Sequence, residues 1–273
     1  MNWSKNRITV ITLLLTLLLT FIIGLFFYKN TEIDNFDIIQ KIDYYVITMK
    51  EESRMKNIKT QIENQKQRMK NKDEETKQND YFDFTINEVD AVIGKNLDLK
   101  ELIDKNIVPK NVENIKETDL THHSINNRKN EIGCYMSHLK TYDAIANSSN
   151  KTAGYSVVFE DDFILSEDFV YKLESTLKTI IETNIDFDIL VLGISGGNGE
   201  TVNADISYAN LNSLGGYGYL INNKKIDKII NEMKYIDTVV DVKIFKNGHE
   251  KKLIVMRMKD PIVLHGNYGS TIR

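Results

Sequence analysis

Three consecutive carboxylates, Glu160-Asp161-Asp162, follow directly on the apolar run Tyr155-Ser156-Val157-Val158-Phe159. That run suits a buried strand, so the triplet falls at the strand's carboxyl end. Like charges held so close disfavour one another's ionised form, and a bound cation relieves the repulsion. Carboxylate oxygens suit Mg²⁺ or Mn²⁺, ions that also take phosphate oxygens as ligands. Open α/β sheets hold ligands beyond the carboxyl ends of their strands, which is where this triplet would sit. The plainer reading is an acidic loop leading into a helix N-terminus, and the triplet alone does not separate the two.

Other residues could join such a site. Upstream, Glu131-Ile132-Gly133-Cys134-Tyr135-Met136-Ser137-His138-Leu139 places a Ser-His pair at what reads as the start of a helix over Ser137–Asn147. His138 there either packs at the helix start or contacts a ligand. His265 lies in Val263-Leu264-His265-Gly266, whereas His122 and His123 are adjacent and would point apart on a strand. Arg54 could offer a phosphate charge-assisted hydrogen bonds, or simply be solvated. Gly215, Gly216 and Gly218 allow close backbone approach to a ligand, or make a turn. Asp241 follows the apolar Val239-Val240 and could serve as a base, with Asp237 in reserve.

The elements that must position these groups alternate. Strands are expected at 42–49, 82–92, 155–159, 187–192, 214–221 and 239–245. Helices are expected at 51–69, 137–147, 167–183 and 224–234, the third capped by Ser166 and acidic in its first turn. Residues 71–80, almost devoid of apolar side chains, read as an exposed loop. Such alternation argues for an α/β sandwich with a parallel or mixed sheet.

The bulk properties exclude several classes. A net charge of −4 with no basic block gives no attraction to nucleic acid. A single cysteine, Cys134, rules out a disulfide scaffold and a cysteine-rich metal site. Ile8 to Phe27 is uncharged and apolar. At about 1.5 Å per residue it is long enough to cross a hydrocarbon core of roughly 30 Å. Lys5 and Arg7 precede it and Glu32, Asp34 and Asp37 follow, so the positive-inside bias predicts a single-pass type II protein. Its catalytic bulk would then lie on the luminal, non-cytoplasmic side. A cleaved signal peptide is the rival, but no small-x-small cleavage site is found. The expected organisation is a cytoplasmic tail and anchor over 1–28, a stem over 29–41 and one domain over 42–273. Sequons at Asn147 and Asn150 suit a luminal location.

The segment around Cys134 and His138, followed by Gly154 to Asp162, resembles glycosyltransferase family 25. Val46-Ile47-Thr48-Met49 with Arg54, Val89 to Lys95, Phe187 to Gly193, Gly216 to Ile221, Thr238 to Asp241 and Ser270 to Arg273 are similar to further family segments, in order. The resemblance implies a GT-A-like, Rossmann-like nucleotide-sugar-binding domain with a mixed sheet. It implies an inverting transfer from a UDP-sugar donor, of galactose or glucose, to a hydroxyl on a glycan, lipid or protein acceptor. By the same resemblance Asp162 is the Mn²⁺ (or Mg²⁺) ligand, Asp161 a ligand or ribose contact, Glu160 a supporting acid and Asp241 the base. Arg54, Ser137 and His138 would face the donor, and His265 would be an extra metal ligand. A silent carbohydrate-binding relative and a metal-dependent phosphohydrolase are the alternatives; the second lacks an Asp-x-Asp-x-Thr nucleophile. Thr48 and Glu51 depart from the family pattern, at the N-terminal nucleotide contacts.

Overall fold

The computed structural model describes residues 42–76, 84–112, 125–148, 154–193, 196, 199–213 and 215–266, together with Thr20. Contacts divide the chain after Ile38, and the unit Ile39–Arg273 holds every strand and helix named here. Thr20 aside, the expected membrane helix lies outside the described residues, as do the stem, His122, His123 and residues 270–273. Among the described residues no helix is long and apolar enough to cross a membrane.

The strands are β1 (Ile42–Thr48), β2 (Ile86–Asp90), β3 (Tyr155–Glu160), β4 (Phe163–Leu165), β5 (Ile189–Val191), β6 (Ile206–Tyr208), β7 (Gly218–Asn222), β8 (Val255–Met258) and β9 (Val263–His265). The α-helices are α1 (Glu52–Thr76), α2 (Leu99–Asp104), α3 (Ile125–Ala146), α4 (Phe169–Glu182), α5 (Ile226–Met233) and α6 (Val240–His249). Seven strands form one mixed sheet in the order β2-β1-β3-β7-β5-β8-β6, and β4 pairs with β9 in a separate ribbon. β1 runs parallel to both β2 and β3, while β7 lies antiparallel between β3 and β5.

Strand alternation sends side chains to two cores. Tyr45, Ile47, Val158 and Tyr219 meet Tyr135 and Tyr142 of α3, Ile229 of α5 and Ile244 of α6. Tyr44, Val46, Val157 and Phe159 meet Ile58 and Ile62 of α1 and Phe169 and Leu173 of α4. Burial on both faces explains why β1 and β3 read as nearly unbroken apolar runs. The expected α/β fold with a mixed sheet is therefore observed.

Four local expectations are corrected. Residues 239–245 form no strand: α6 buries Val240, Lys243, Ile244 and Asn247. That spacing is helical, and packing of the buried face overrides the β-branched composition. The helix carrying His138 begins at Ile125, so the Ser-His pair sits mid-helix. α1 continues through Thr76 into the expected loop, since its Lys and Glu residues favour helix without an apolar stripe. Ser166 does not cap α4; its hydroxyl donates to Asp168 Oδ1 at 2.8 Å, and Glu167 and Asp168 precede the helix, whose first turn is not acidic.

Candidate active site

The register brings the ends of β1, β2 and β3 to one edge: Thr48 lies opposite Asp90, and Ile47 opposite Glu160. Because the chain leaves β1 toward β2 on one side and β3 on the other, this edge is a topological switch point. An open cleft lies there. Its walls are Ile47 near the end of β1 and Met49 just beyond it, Ala91 to Gly94 after β2, Cys134, Ser137 and His138 of α3, the acidic triplet, Arg54 and His265.

The triplet turns between two stacked rings, Phe159 and Phe163, whose centroids are 4.3 Å apart. Burying each aromatic side chain contributes roughly 1.5–3 kcal/mol, so both ends of the turn are pinned. Helix α1 secures β4 just beyond the turn. Gln61 Nε2 donates to the Phe163 carbonyl at 2.9 Å, and Gln61 Oε1 accepts from Leu165 N at 2.6 Å. On the other side Gly266 N donates to the Asp162 carbonyl at 2.7 Å, and Phe163 pairs with His265.

The three carboxylates differ in occupation. Asp161, 6% exposed, accepts from Arg54 through Oδ1 and from Met49 N through Oδ2 at 3.2 Å. Met49 precedes Lys50, whose φ of 59° turns the chain sharply. Arg54, 3% exposed, also has Glu51 at 3.4 Å. Asp162 is 7% exposed; His265 Nε2 lies 3.3 Å from its Oδ2, but its buried Oδ1 has no hydrogen-bond partner among the described residues. Burial first, then the Glu160 charge and more weakly Asp161, raises the Asp162 carboxyl above its ordinary value, against the pull of His265 and Arg54. Tyr217 meets the His265 ring edge-on at 5.4 Å.

Glu160 faces another partner. Its Oε1 lies 3.3 Å from Nε2 of the fully buried His138. Tyr219 donates its hydroxyl proton to Tyr142 Oη at 2.9 Å, so its oxygen accepts from His138 Nδ1–H at 2.6 Å. Ser137 Oγ donates to the Gly133 carbonyl at 2.7 Å and accepts from Val92 N at 2.8 Å, joining α3 to the chain after β2. Gly94 and Gly133 make that approach possible, because a Cβ on Gly133 would lie 2.8 Å from Gly94 Cα. Cys134 lies one helical turn before His138. Its thiol is pushed well up by burial and by the charges of Glu160, Asp241, Asp162 and Glu131.

Asp241 is in the first turn of α6 and is part-buried. Its Oδ2 accepts from Gly215 N at 3.2 Å and its Oδ1 from Val242 N at 2.8 Å. Gly215 has φ +99°, a conformation that glycine adopts freely. Asp237 is engaged otherwise, 2.7 Å from Lys243 Nζ and 3.5 Å from Lys246 Nζ. Burial alone would raise its carboxyl, but the two lysines bring it below the ordinary value. His249 is exposed at the end of α6.

The structure thus brings Arg54, Ser137, His138, Glu160, Asp161, Asp162 and His265 to one cleft, which Asp241 does not line. Sequence reasoning missed Tyr219, Tyr142 and Gln61, each buried or half-buried in an element read only as apolar or surface-facing. The i, i+4 spacing of Cys134 and His138 was the available sign of a shared helix face.

The family described as Glycosyltransferase family 25 (LPS biosynthesis protein) matches residues 41–193, more than half of the chain. The chain belongs to that family. The matched stretch runs from β1 to the end of β5, so it contains the triplet, Arg54 and His138 but neither Asp241 nor His265. Among solved structures, S. aureus TarS 1-349 is similar over 83% of this chain, at 14% identity and a TM-score of 0.38. The chain spans 60% of that structure's length. No curated protein matches it.

Proposed function

We propose that the chain is a GT-A-type, inverting, metal-assisted glycosyltransferase that moves a hexose from a UDP-sugar to an acceptor hydroxyl. The observation that carries this is Asp162 Oδ1, a buried carboxylate oxygen without a partner among the described residues, in a cleft at the switch point of the sheet. Family membership makes a nucleotide-sugar donor the natural occupant of that cleft.

The residues fit a hard divalent cation such as Mn²⁺ or Mg²⁺. Asp162 and His265 would hold it, with the donor diphosphate completing the coordination. When bound, such an ion supplies Lewis-acid neutralisation of the departing nucleoside diphosphate. Asp161 serves chiefly by fixing Arg54, so that the guanidinium stays at the cleft wall as a positive charge toward phosphate. Glu160, backed by His138 and Tyr219, keeps its place at the strand end. Asp241, oriented by hydrogen bonds from Gly215 N and Val242 N, is the base that receives the acceptor proton. The apolar segment Ile8–Phe27 anchors the domain to a membrane as a type II protein, and the acceptor is a glycan, lipid or protein on the far side.

The test is release of UDP from a panel of UDP-sugars by the full chain in detergent, with Mn²⁺ and with chelator. Metal-dependent release that Asp162→Ala abolishes supports the proposal. No release with any donor, together with unchanged UDP and metal binding in Asp162→Ala, rejects it.

A further inference from the structure

One wall of the cleft carries a donor set unlike the hard carboxylates at Asp162. Cys134 and His138 stand one turn apart on α3, where i and i+4 side chains share a face. Glu160 reaches them from the end of β3. One ligand atom from each of the three lies within 4.8 Å of the others. Ligand atoms around a tetrahedral ion with bonds of about 2.0–2.3 Å are roughly 3.3–3.8 Å apart, so modest side-chain rotation closes the set.

The second observation is the orientation of His138. Tyr219 Oη accepts the hydrogen bond from His138 Nδ1–H and is itself oriented by its bond to Tyr142. With Nδ1 occupied, Nε2 is aimed at Glu160 Oε1, 3.3 Å away. The ring nitrogen and the carboxylate oxygen thus converge on one point, an arrangement that suits a shared cation. A metal-ligating histidine typically donates its other N–H to an oxygen acceptor, and here that acceptor is already in place.

We infer that Cys134, His138 and Glu160 form a three-ligand site for a zinc-class divalent cation, separate from Asp162, with its fourth position open to the cleft. A thiolate and an imidazole select Zn²⁺ or Co²⁺ over Mg²⁺ and Mn²⁺. On binding, the Cys134 thiol releases its proton to solvent as the sulfur–metal bond forms, and the metal's charge replaces that proton among the surrounding carboxylates. Glu160 is the only residue of the triplet in this set, so the site stands whether or not the chain transfers sugar.

The experiment is titration of the chelator-treated full chain with Co²⁺ alone, read by absorption. The chain has one cysteine, so a sulfur-to-cobalt charge-transfer band reports Cys134. The band is expected in the unaltered protein and in Asp162→Ala, and Zn²⁺ should bleach it. His138→Gln and Tyr219→Phe should weaken Co²⁺ binding by about tenfold or more. Absence of the band, its loss in Asp162→Ala, or undiminished affinity in His138→Gln overturns the assignment. Cadmium NMR of the unaltered chain needs no variant. A resonance typical of one sulfur with nitrogen and oxygen ligands is expected, and an all-oxygen resonance overturns it. Failure of UDP release would leave these spectra unchanged, so the two proposals fail separately.

Discussion

Gly133→Ala is the most informative single substitution, because two effects of opposite sign compete at it. In a helix interior alanine is favoured over glycine by about 1 kcal/mol. The added Cβ, however, would lie 2.7 Å from Val92 O and 2.8 Å from both Gly94 Cα and Gly94 N. All three are backbone atoms, with no flexible side chain to swing aside. To reach ordinary contact α3 must move from the chain after β2 by roughly 0.7 Å, and overpacking of this kind costs about 1–3 kcal/mol. The cost should lie at the upper end of that range, leaving a net loss of about 1–2 kcal/mol. At about 2–4 °C per kcal/mol for a domain of this size, Tm should fall by roughly 2–8 °C. Thermal unfolding followed by circular dichroism reads this directly. Gly154→Ala is the control, since a Cβ there meets nothing within 4 Å. The same displacement would stretch the Ser137–Val92 hydrogen bond and shift His138, so UDP release should fall as well. A Tm at or above that of the unaltered protein would refute the idea that backbone contact dictates glycine at this position.

Asp162→Asn removes a carboxylate whose protonation is favoured by the fold. A raised carboxyl contributes stability at low pH that is lost as pH rises through the folded value, so the variant should melt higher than the parent at pH 7 and lose that advantage toward pH ~4. Its UDP release should drop by about a hundredfold or more. Arg54→Met leaves Asp161 buried without its counter-charge and should cost about 3–5 kcal/mol by urea denaturation. A loss below about 1 kcal/mol would mean that the pair does not hold the strand end. Asp237→Asn should cost only about 0.5–1 kcal/mol at pH 7, because the pair with Lys243 is partly solvated. Since the folded value is depressed, that difference is present above about pH 4 and disappears as the solution is acidified. In UDP-sugar transfer assays Asp241→Asn should lose activity while Asp237→Asn keeps it; equal retention by both would remove Asp241 as the base.

Much of this site was legible because strand ends are. An unbroken apolar run followed by three acids has few placements, and β3 with Glu160-Asp161-Asp162 took the one expected. Two-sided burial likewise made the α/β class readable from β1. What escaped depended on contacts distant in sequence. Val239, Val240 and Val242 look like strand residues, and only the packing of Val240, Ile244 and Phe245 into the core decides for a helix. The polar N-terminal half of α3 carries no stripe that would announce it. Arg54 and Asp161 were each foreseen at the site, yet nothing in a one-dimensional reading says that they neutralise one another. Tyr219 read as core, because a hydroxyl that serves a buried histidine leaves no local pattern.

The β4–β9 ribbon sets a temporal order on completion of the cleft. On the ribosome the acidic triplet emerges long before Val263-Leu264-His265, and until β9 arrives β4 has no strand to pair with. Asp162 then has neither His265 beside its carboxylate nor Gly266 on its carbonyl. Domains fold as units during synthesis, so a nascent chain that has made the triplet holds an unfinished site. Under the proposed function, competence would therefore arrive only with the closing strand.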